Sequence, residues 1–298
     1  MIVTNINELN GITFVLTKGR AYWELLKFRL SFLVAFSCAF GYLLASPSVN
    51  WITLLMLFLG GFLLSGSAVT INQIIEKDLD SLMDRTMNRP LPTYRVSVTE
   101  ASMVAVFCLL AGVSILILYT NVLTSILSVV SMILYGFVYT PLKRVGPIAV
   151  FVGAIPGALP PLLGWVAATG GITHEALIIF GIQFIWQFPH FWAIAWVSDD
   201  DYKKAGFKLL PSGGKKDLNT AMQIMIYTMF LIPLGLLPAT FGITGLKSAI
   251  AVTVCGVLFF AQTFSLMRSG DRKSALKIMF GSFLYLPIVQ IAYLLDKV

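Results

Sequence analysis

Long runs without a single Asp, Glu, Lys or Arg alternate along the chain with short charged segments. Residues 30–75 form one such run, but SPSVN at 46–50 gathers Pro, Ser and Asn into a turn signal, so two apolar segments are expected there. Residues 101–142 divide likewise near YTN at 119–121. The stretches 145–173, 176–198, 218–246, 248–267 and 278–295 supply one apolar segment each. A helix that crosses a bilayer needs about 20 predominantly apolar residues. The pattern therefore predicts nine spanning helices.

Composition supports that reading and narrows it. Hydrophobic residues make up 57% of the chain and charged residues 12%, with a mean hydropathy of +0.85, whereas roughly a quarter of residues are charged in soluble domains. An all-α integral membrane protein with a single transmembrane domain over residues 1–298 is expected, residues 1–24 forming a short cytoplasmic segment. Those residues include Glu8 and Glu24 and lack the basic, apolar and cleavage regions of a signal peptide.

The basic residues test the count independently. Of the 21 Lys and Arg, all but Lys247 and Lys297 fall in the segments that alternate to one side of the nine helices. Lys and Arg collect on the cytoplasmic side, which puts the N-terminus in the cytoplasm and the C-terminus outside a multi-pass protein of the cell membrane. The net charge of +7 then reflects topology and contact with anionic lipid. No basic, aromatic-interleaved surface points to nucleic acid. Cys38, Cys108 and Cys255 sit singly in apolar segments without metal-site spacing and read as packing residues.

The acidic residues carry the candidate chemistry. Glu76, Asp78, Asp80 and Asp84 follow the second helix, and Asp199, Asp200 and Asp201 follow the sixth. Asn72, Glu76, Asp80 and Asp84 are spaced by four, which on an α-helix forms one drifting stripe. Carboxylates on one stripe repel unless a cation lies among them. Mg²⁺ suits the pattern because it binds through one or two carboxylates together with substrate phosphates. Arg85, Arg89, Lys143 and Lys204 are then candidates to hold diphosphate oxygens, Arg by its fork and Lys as a point charge. A plainer reading, in which a mixed-charge loop merely solvates a helix end, competes for either cluster alone. The second cluster, SDDDYKKAGFKLLP at 198–211, repeats the order of acids, bases, Leu and Pro found in DLDSLMDRTMNRPLP. That repetition points to two pseudo-repeated halves meeting at the inner face, and two such clusters weigh against the plainer reading.

NQIIEKDLDSLMDRTMNRP at 72–90 resembles the first Asp-rich motif of the UbiA superfamily of intramembrane prenyltransferases. YTPLKR (139–144), GAIPGALPPLLGW (153–165), WQFPHFWAIAW (186–196) and DDYKKAGFKLLP (200–211) resemble, more narrowly, the protoheme IX farnesyltransferases within it. The resemblance runs from about residue 20 to 295. It implies nine helices around a central cavity and transfer of a farnesyl group from farnesyl diphosphate to a vinyl group of haem B, giving haem O. It further implies that Asn72, Glu76, Asp80, Asp84, Asp200 and Asp201 hold Mg²⁺ and the diphosphate. Asp80, Asp84, Asp201 and Lys143 are the expected catalytic residues, with Asn72, Arg85, Arg89, Tyr139, Trp186, His190 and Lys204 contacting substrate. Haem A synthase or a terminal-oxidase assembly would be partners in the bilayer. One departure concerns the second cluster, where three contiguous acids and Tyr202 replace the spacing by four of many relatives, which singles out Asp201 over Asp199.

His190, one of two histidines, falls in the sixth apolar segment, where polar residues usually face the protein interior or a cavity. It serves either as a helix-packing group or as a contact to haem iron or a propionate. The prolines at 156, 160 and 161 remove helix donors, so a kinked cavity wall or tight Gly and Ala packing is expected in the fifth span. Two alternatives stay open: a related transferase with a quinone-precursor aromatic acceptor, and an ion-coupled transporter. Transport sites lie near the bilayer midplane, and the acids here gather at helix ends.

Overall fold

The structure is a computed structural model that describes residues 11–298. In chain order it contains α1 (Gly11–Leu25), α2 (Phe28–Ala45), α3 (Trp51–Ile75), α4 (Lys77–Asp80), α5 (Val98–Tyr119) and α6 (Val122–Ile133). A π-helical turn (Leu134–Tyr139) and α7 (Thr140–Leu142) continue α6, followed by α8 (Ile148–Thr169), α9 (His174–Val197), α10 (Asp199–Lys204), α11 (Leu218–Thr240), α12 (Leu246–Ser269) and α13 (Arg272–Leu295). Among the described residues nine spans are long and apolar enough to cross a membrane, namely α2, α3, α5, the continuous α6 to α7 unit, α8, α9, α11, α12 and α13.

The polar residues that interrupt the apolar runs are the ones that start the helices. Asn50 accepts from the Ile52 and Thr53 amides at the head of α3, and Asn121, Thr173, Asp217 and Asp271 cap α6, α9, α11 and α13. Ser97 and Glu100 form a reciprocal capping box on α5. Each such cap satisfies orphan amides and contributes about 1 kcal/mol.

α8 is the innermost span, with 14 of its 22 residues buried. It packs on α2 with almost no separation, because a Cβ on Gly41 would collide with the Pro161 carbonyl and one on Gly164 with the Cys38 carbonyl. α2 also packs on α3, α3 on α5, α8 on α9, and α9 on both α11 and α13, while α13 reaches α2 and brings the last span back to the first. Apolar side chains such as Phe107, Leu110, Leu118 and Leu258 stay exposed on the outer faces, as lipid contact requires.

α8 is one helix through Pro156, Pro160 and Pro161, and the tight Gly packing expected of the fifth span is present in it. Pro161 has no N–H for the Gly157 carbonyl four residues back. Instead, Gln183 and Gln187 of α9 each donate from Nε2 to that carbonyl at 2.8 Å. The prolines thus create an acceptor that binds α9 to α8.

The acid-rich and base-rich segments share one end of the bundle. At the opposite end, Lys297 donates to the Leu43 and Ser46 carbonyls at the end of α2, where a cation also suits the helix dipole. Residues 11–24 of the expected N-terminal segment fall in α1, which is tied to the charged end by Lys18 to Glu100 at 2.7 Å and by Glu24 to Arg95 at 2.7 Å. Residues 1–10 of that segment lie outside the described residues.

Candidate active site

The first acidic segment begins as the predicted stripe and then leaves it. The Glu76 amide bonds to the Asn72 carbonyl at 3.0 Å and the Asp80 amide to the Glu76 carbonyl at 2.7 Å, so helical spacing persists from Asn72 to Asp80. Beyond Asp80 the chain continues in successive turns, and Thr86 Oγ1 donates to the Asp80 carbonyl at 2.8 Å. That side-chain donor satisfies a helix-end acceptor and stops the helix. Asp84 consequently departs from the stripe and is carried to the second acidic segment.

Two ion pairs are buried at this end. Asp80, fully buried, accepts from Arg89 Nη1 at 2.6 Å through Oδ2. Glu76, also buried, lies 2.9 Å and 3.1 Å from Lys143 Nζ through its two oxygens. The π-helical turn before α7 aims this Lys: its ammonium sits 4.8 Å from the Tyr139 ring centre and 5.6 Å from that of Phe207. Asn72 donates from Nδ2 to Thr140 Oγ1 at 3.0 Å in the same corner. A single extra residue per π turn re-aims side chains and recurs at functional sites. A cavity of about 400 Å³ opens beside Glu76, lined also by Ile75, Leu79, Thr140 and Arg144.

The two acidic segments are joined directly. Asp201 accepts from the Asp84 amide at 3.1 Å and the Arg85 amide at 3.2 Å. Lys204 Nζ contacts Asp84 at 2.7 Å and Asp201 at 3.4 Å, and the Lys208 amide donates to the Lys143 carbonyl at 3.1 Å. Partial burial opposes ionisation of Asp201, but the two amides and Lys204 together outweigh it and hold the carboxyl below the usual aspartate range. Tyr202, the residue that departs from the spacing by four, lies under Arg85, with the guanidinium carbon 5.8 Å from the ring centre.

Of the candidate residues, Asn72, Glu76, Asp80, Arg89, Tyr139 and Lys143 form one cluster, and Asp84, Arg85, Asp201 and Lys204 a second one joined to it. Asp199 pairs with Lys203 and Lys216 and organises its own segment. Asp200 is exposed and has no ion pair among the described residues. In the sequence Lys27 stands out only as a topological marker. It adopts a left-handed conformation (φ 44°) between α1 and α2. Burial, then Arg89 and Lys143, push its amine well below the ordinary lysine range, while Asp80 and Glu76 pull the other way. Two bases at the start of the first span are its only signal in the sequence.

The donor set fits Mg²⁺. Asp80 Oδ1 is buried and has no hydrogen-bond partner, which leaves a hard carboxylate oxygen without a donor. Among the described residues no three carboxylate, His or Cys groups are gathered as a complete cage, and Mg²⁺ ordinarily takes its remaining oxygens from substrate phosphates and water.

His190 lies seven residues before the end of α9, about 10 Å deeper along the helix axis. Its ring stacks on Trp186 at 4.3 Å and meets Phe191 edge-on at 5.4 Å, and Phe191 reaches Tyr139 at 6.2 Å. A continuous aromatic path therefore links the Lys143 ammonium to His190.

The sequence profile of the UbiA prenyltransferase family matches residues 34–286. The chain is 52% identical over 280 residues to a protoheme IX farnesyltransferase of Cytophaga hutchinsonii, covering 94% of this chain and 98% of that one. Its fold is similar to that of a digeranylgeranylglyceryl phosphate synthase (TM-score 0.78, 21% identity, 94% and 98% of the two chains). It is likewise similar to a UbiA homolog from Archaeoglobus fulgidus bound to DMAPP and Mg²⁺ (TM-score 0.65, 17% identity, 91% and 98%). With the profile spanning most of the chain and the relative nearly all of it, the protein belongs to the UbiA prenyltransferase family.

Proposed function

We propose that the protein transfers the farnesyl group of farnesyl diphosphate to a vinyl group of haem B and so makes haem O. The Cytophaga hutchinsonii relative is named for farnesylation of protoheme IX, and the observation that carries the reading here is the aromatic path between diphosphate-type bases and a deep histidine. Glu76, Asp80, Asp84 and Asp201 would hold Mg²⁺, with Asn72 nearby. Mg²⁺ would supply positive charge against the diphosphate oxygens as the allylic C–O bond breaks.

The bases act on the same oxygens. Arg89, Lys143 and Lys204 are paired with Asp80, Glu76 and Asp84 in the ligand-free protein. Were those carboxylates to hold Mg²⁺, each base would be free to donate to phosphate oxygens, where charge develops as the leaving group departs. Lys27, which lacks an ion pair among the described residues, is held toward its neutral form by burial, Arg89 and Lys143, and an arriving diphosphate would favour its charged form. Tyr139, Tyr135 and Phe191 line the way inward and exclude water from the allylic cation. The terminal vinyl carbon forms the new bond to farnesyl C1. Water then adds to the resulting porphyrin-stabilised cation, releases a proton and leaves the hydroxyl group of the product.

The charged end faces the cytoplasm in this reading, because it carries nearly all the bases, and the product passes within the bilayer to haem A synthase or to an oxidase assembly. Incubation of purified protein with haem B, Mg²⁺ and farnesyl diphosphate, followed by mass analysis of extracted haem, tests the function. Haem enlarged by one farnesyl group and one hydroxyl is the expected result. Unchanged haem, or prenylation only of an added aromatic quinone precursor, would overturn it.

A further inference from the structure

We infer that Ser282 fixes His190 as the Nδ1–H tautomer, so that Nε2 presents a lone pair to the iron of the haem acceptor; this rests on the haem reading above. His190 Nδ1 lies 2.9 Å from Ser282 Oγ. Ser282 is fully buried on α13, and its hydroxyl donates to the Met279 carbonyl at 2.6 Å. A hydroxyl has one proton. With that proton directed to Met279, Ser282 offers the imidazole only an acceptor, and two bare acceptors do not approach to 2.9 Å. The ring proton therefore resides on Nδ1, and in the neutral ring Nε2 is unprotonated.

The same serine also fixes the plane of the ring. Trp186 donates from Nε1 to the Ser282 carbonyl at 3.1 Å and stacks on His190 at 4.3 Å with 22° between planes. Phe191 and Phe283 close the ring edge-on from two further sides. Nε2 has no hydrogen-bond partner among the described residues. One ring nitrogen held by a neighbouring acceptor and the other left bare is the arrangement by which proteins orient a metal-ligating histidine, and loss of the outer partner typically costs 10- to 100-fold in metal affinity. Ser282 is on this account a positioning residue, acting on haem through His190.

The chain has only two histidines, which makes the tautomer directly observable. ¹⁵N-histidine NMR of the haem-free protein in detergent should show His190 with its proton on Nδ1, and Ser282→Ala should shift that ring toward a mixture or toward Nε2–H. With ferric haem B added, His190→Ala should remove the axial-histidine signature from the absorption and resonance Raman spectra. Ser282→Ala should weaken haem binding about tenfold, Ser282→Thr should restore it, and farnesyl diphosphate affinity should stay unchanged in all three. An Nε2–H tautomer in the wild type would overturn the inference. So would a normal haem spectrum and affinity in Ser282→Ala when His190→Ala has lost both, although the haem reading would survive that result. An unaltered spectrum in His190→Ala would remove the iron ligand itself, and a wild-type protein that binds no haem would defeat the proposed function together with this inference.

Discussion

At the scale of single residues, burial separates two acid–base pairs that look alike in the sequence. Asp80 has no solvent exposure and Arg89 little, whereas Asp84 is 74% exposed and Lys204 43%. Removing one member of a buried pair strands a charge and costs about 3–5 kcal/mol, while exposed pairs contribute little. Arg89→Ala is therefore expected to lower both thermal stability in detergent and farnesyl diphosphate affinity. Lys204→Ala should leave the melting temperature unchanged and lower only the affinity, which calorimetry on the two variants checks. Equal loss of stability in both would show that burial does not distinguish them. The stripe from Asn72 to Asp80 and the placing of both acidic segments at one end of the bundle were legible, because carboxylates at helical spacing and the distribution of charge are properties of the chain itself. Lys27 and Ser282 were not, because each comes from a distant part of the chain and only tertiary packing brings Lys27 near Asp80 or Ser282 to His190.

At the scale of elements, local propensity fails where a neighbouring helix supplies what the chain lacks. The nine spans could be read from charge-free runs, and two of the breaks between them from SPSVN and YTN, since turn signals are local chemistry. The proline run suggested a kink or close packing, but nothing in GAIPGALPPLLGW reveals that Gln183 and Gln187 of α9 fill the Gly157 carbonyl. The π-helical turn was equally hidden, because LYGFVY carries no signal that distinguishes it from an ordinary helical turn. The shared carbonyl makes a specific energetic claim. A buried acceptor left without any donor costs about 1–3 kcal/mol, so Gln183→Leu or Gln187→Leu alone leaves one donor in place. The double variant strands the carbonyl. Denaturation of the two singles and the double should accordingly give a loss for the double that exceeds the sum of the singles by about 1 kcal/mol or more. Strict additivity would mean that the two glutamines serve unrelated contacts.

At the scale of the molecule, the bundle is two groups of spans whose acid-rich segments meet at one end. The first group delivers Asp84 and Arg85, the second Asp201 and Lys204, and the joint consists of two backbone amides donating to one carboxylate. Asp201 holds the 81–97 segment against the 198–217 segment, and on the proposed function it would have a second, separable task, to supply an anionic oxygen to Mg²⁺. Asp201→Asn keeps a side-chain oxygen that can accept from one of the two amides but removes the charge, whereas Asp201→Ala removes both. Turnover should fall by at least about a hundredfold in either variant, as expected when preorganised charge at a leaving group is lost, and chelation of Mg²⁺ should abolish the wild-type rate. The two variants should differ in the ligand-free state. Limited proteolysis from the charged side should cleave the 198–217 segment faster in Asp201→Ala than in the wild type, with Asp201→Asn between them, because only the alanine leaves both amides without their acceptor. If the two substitutions proved equally protected, the carboxylate would act on the metal alone, and the segments would be held together by Lys204 and by the Lys208 amide on the Lys143 carbonyl.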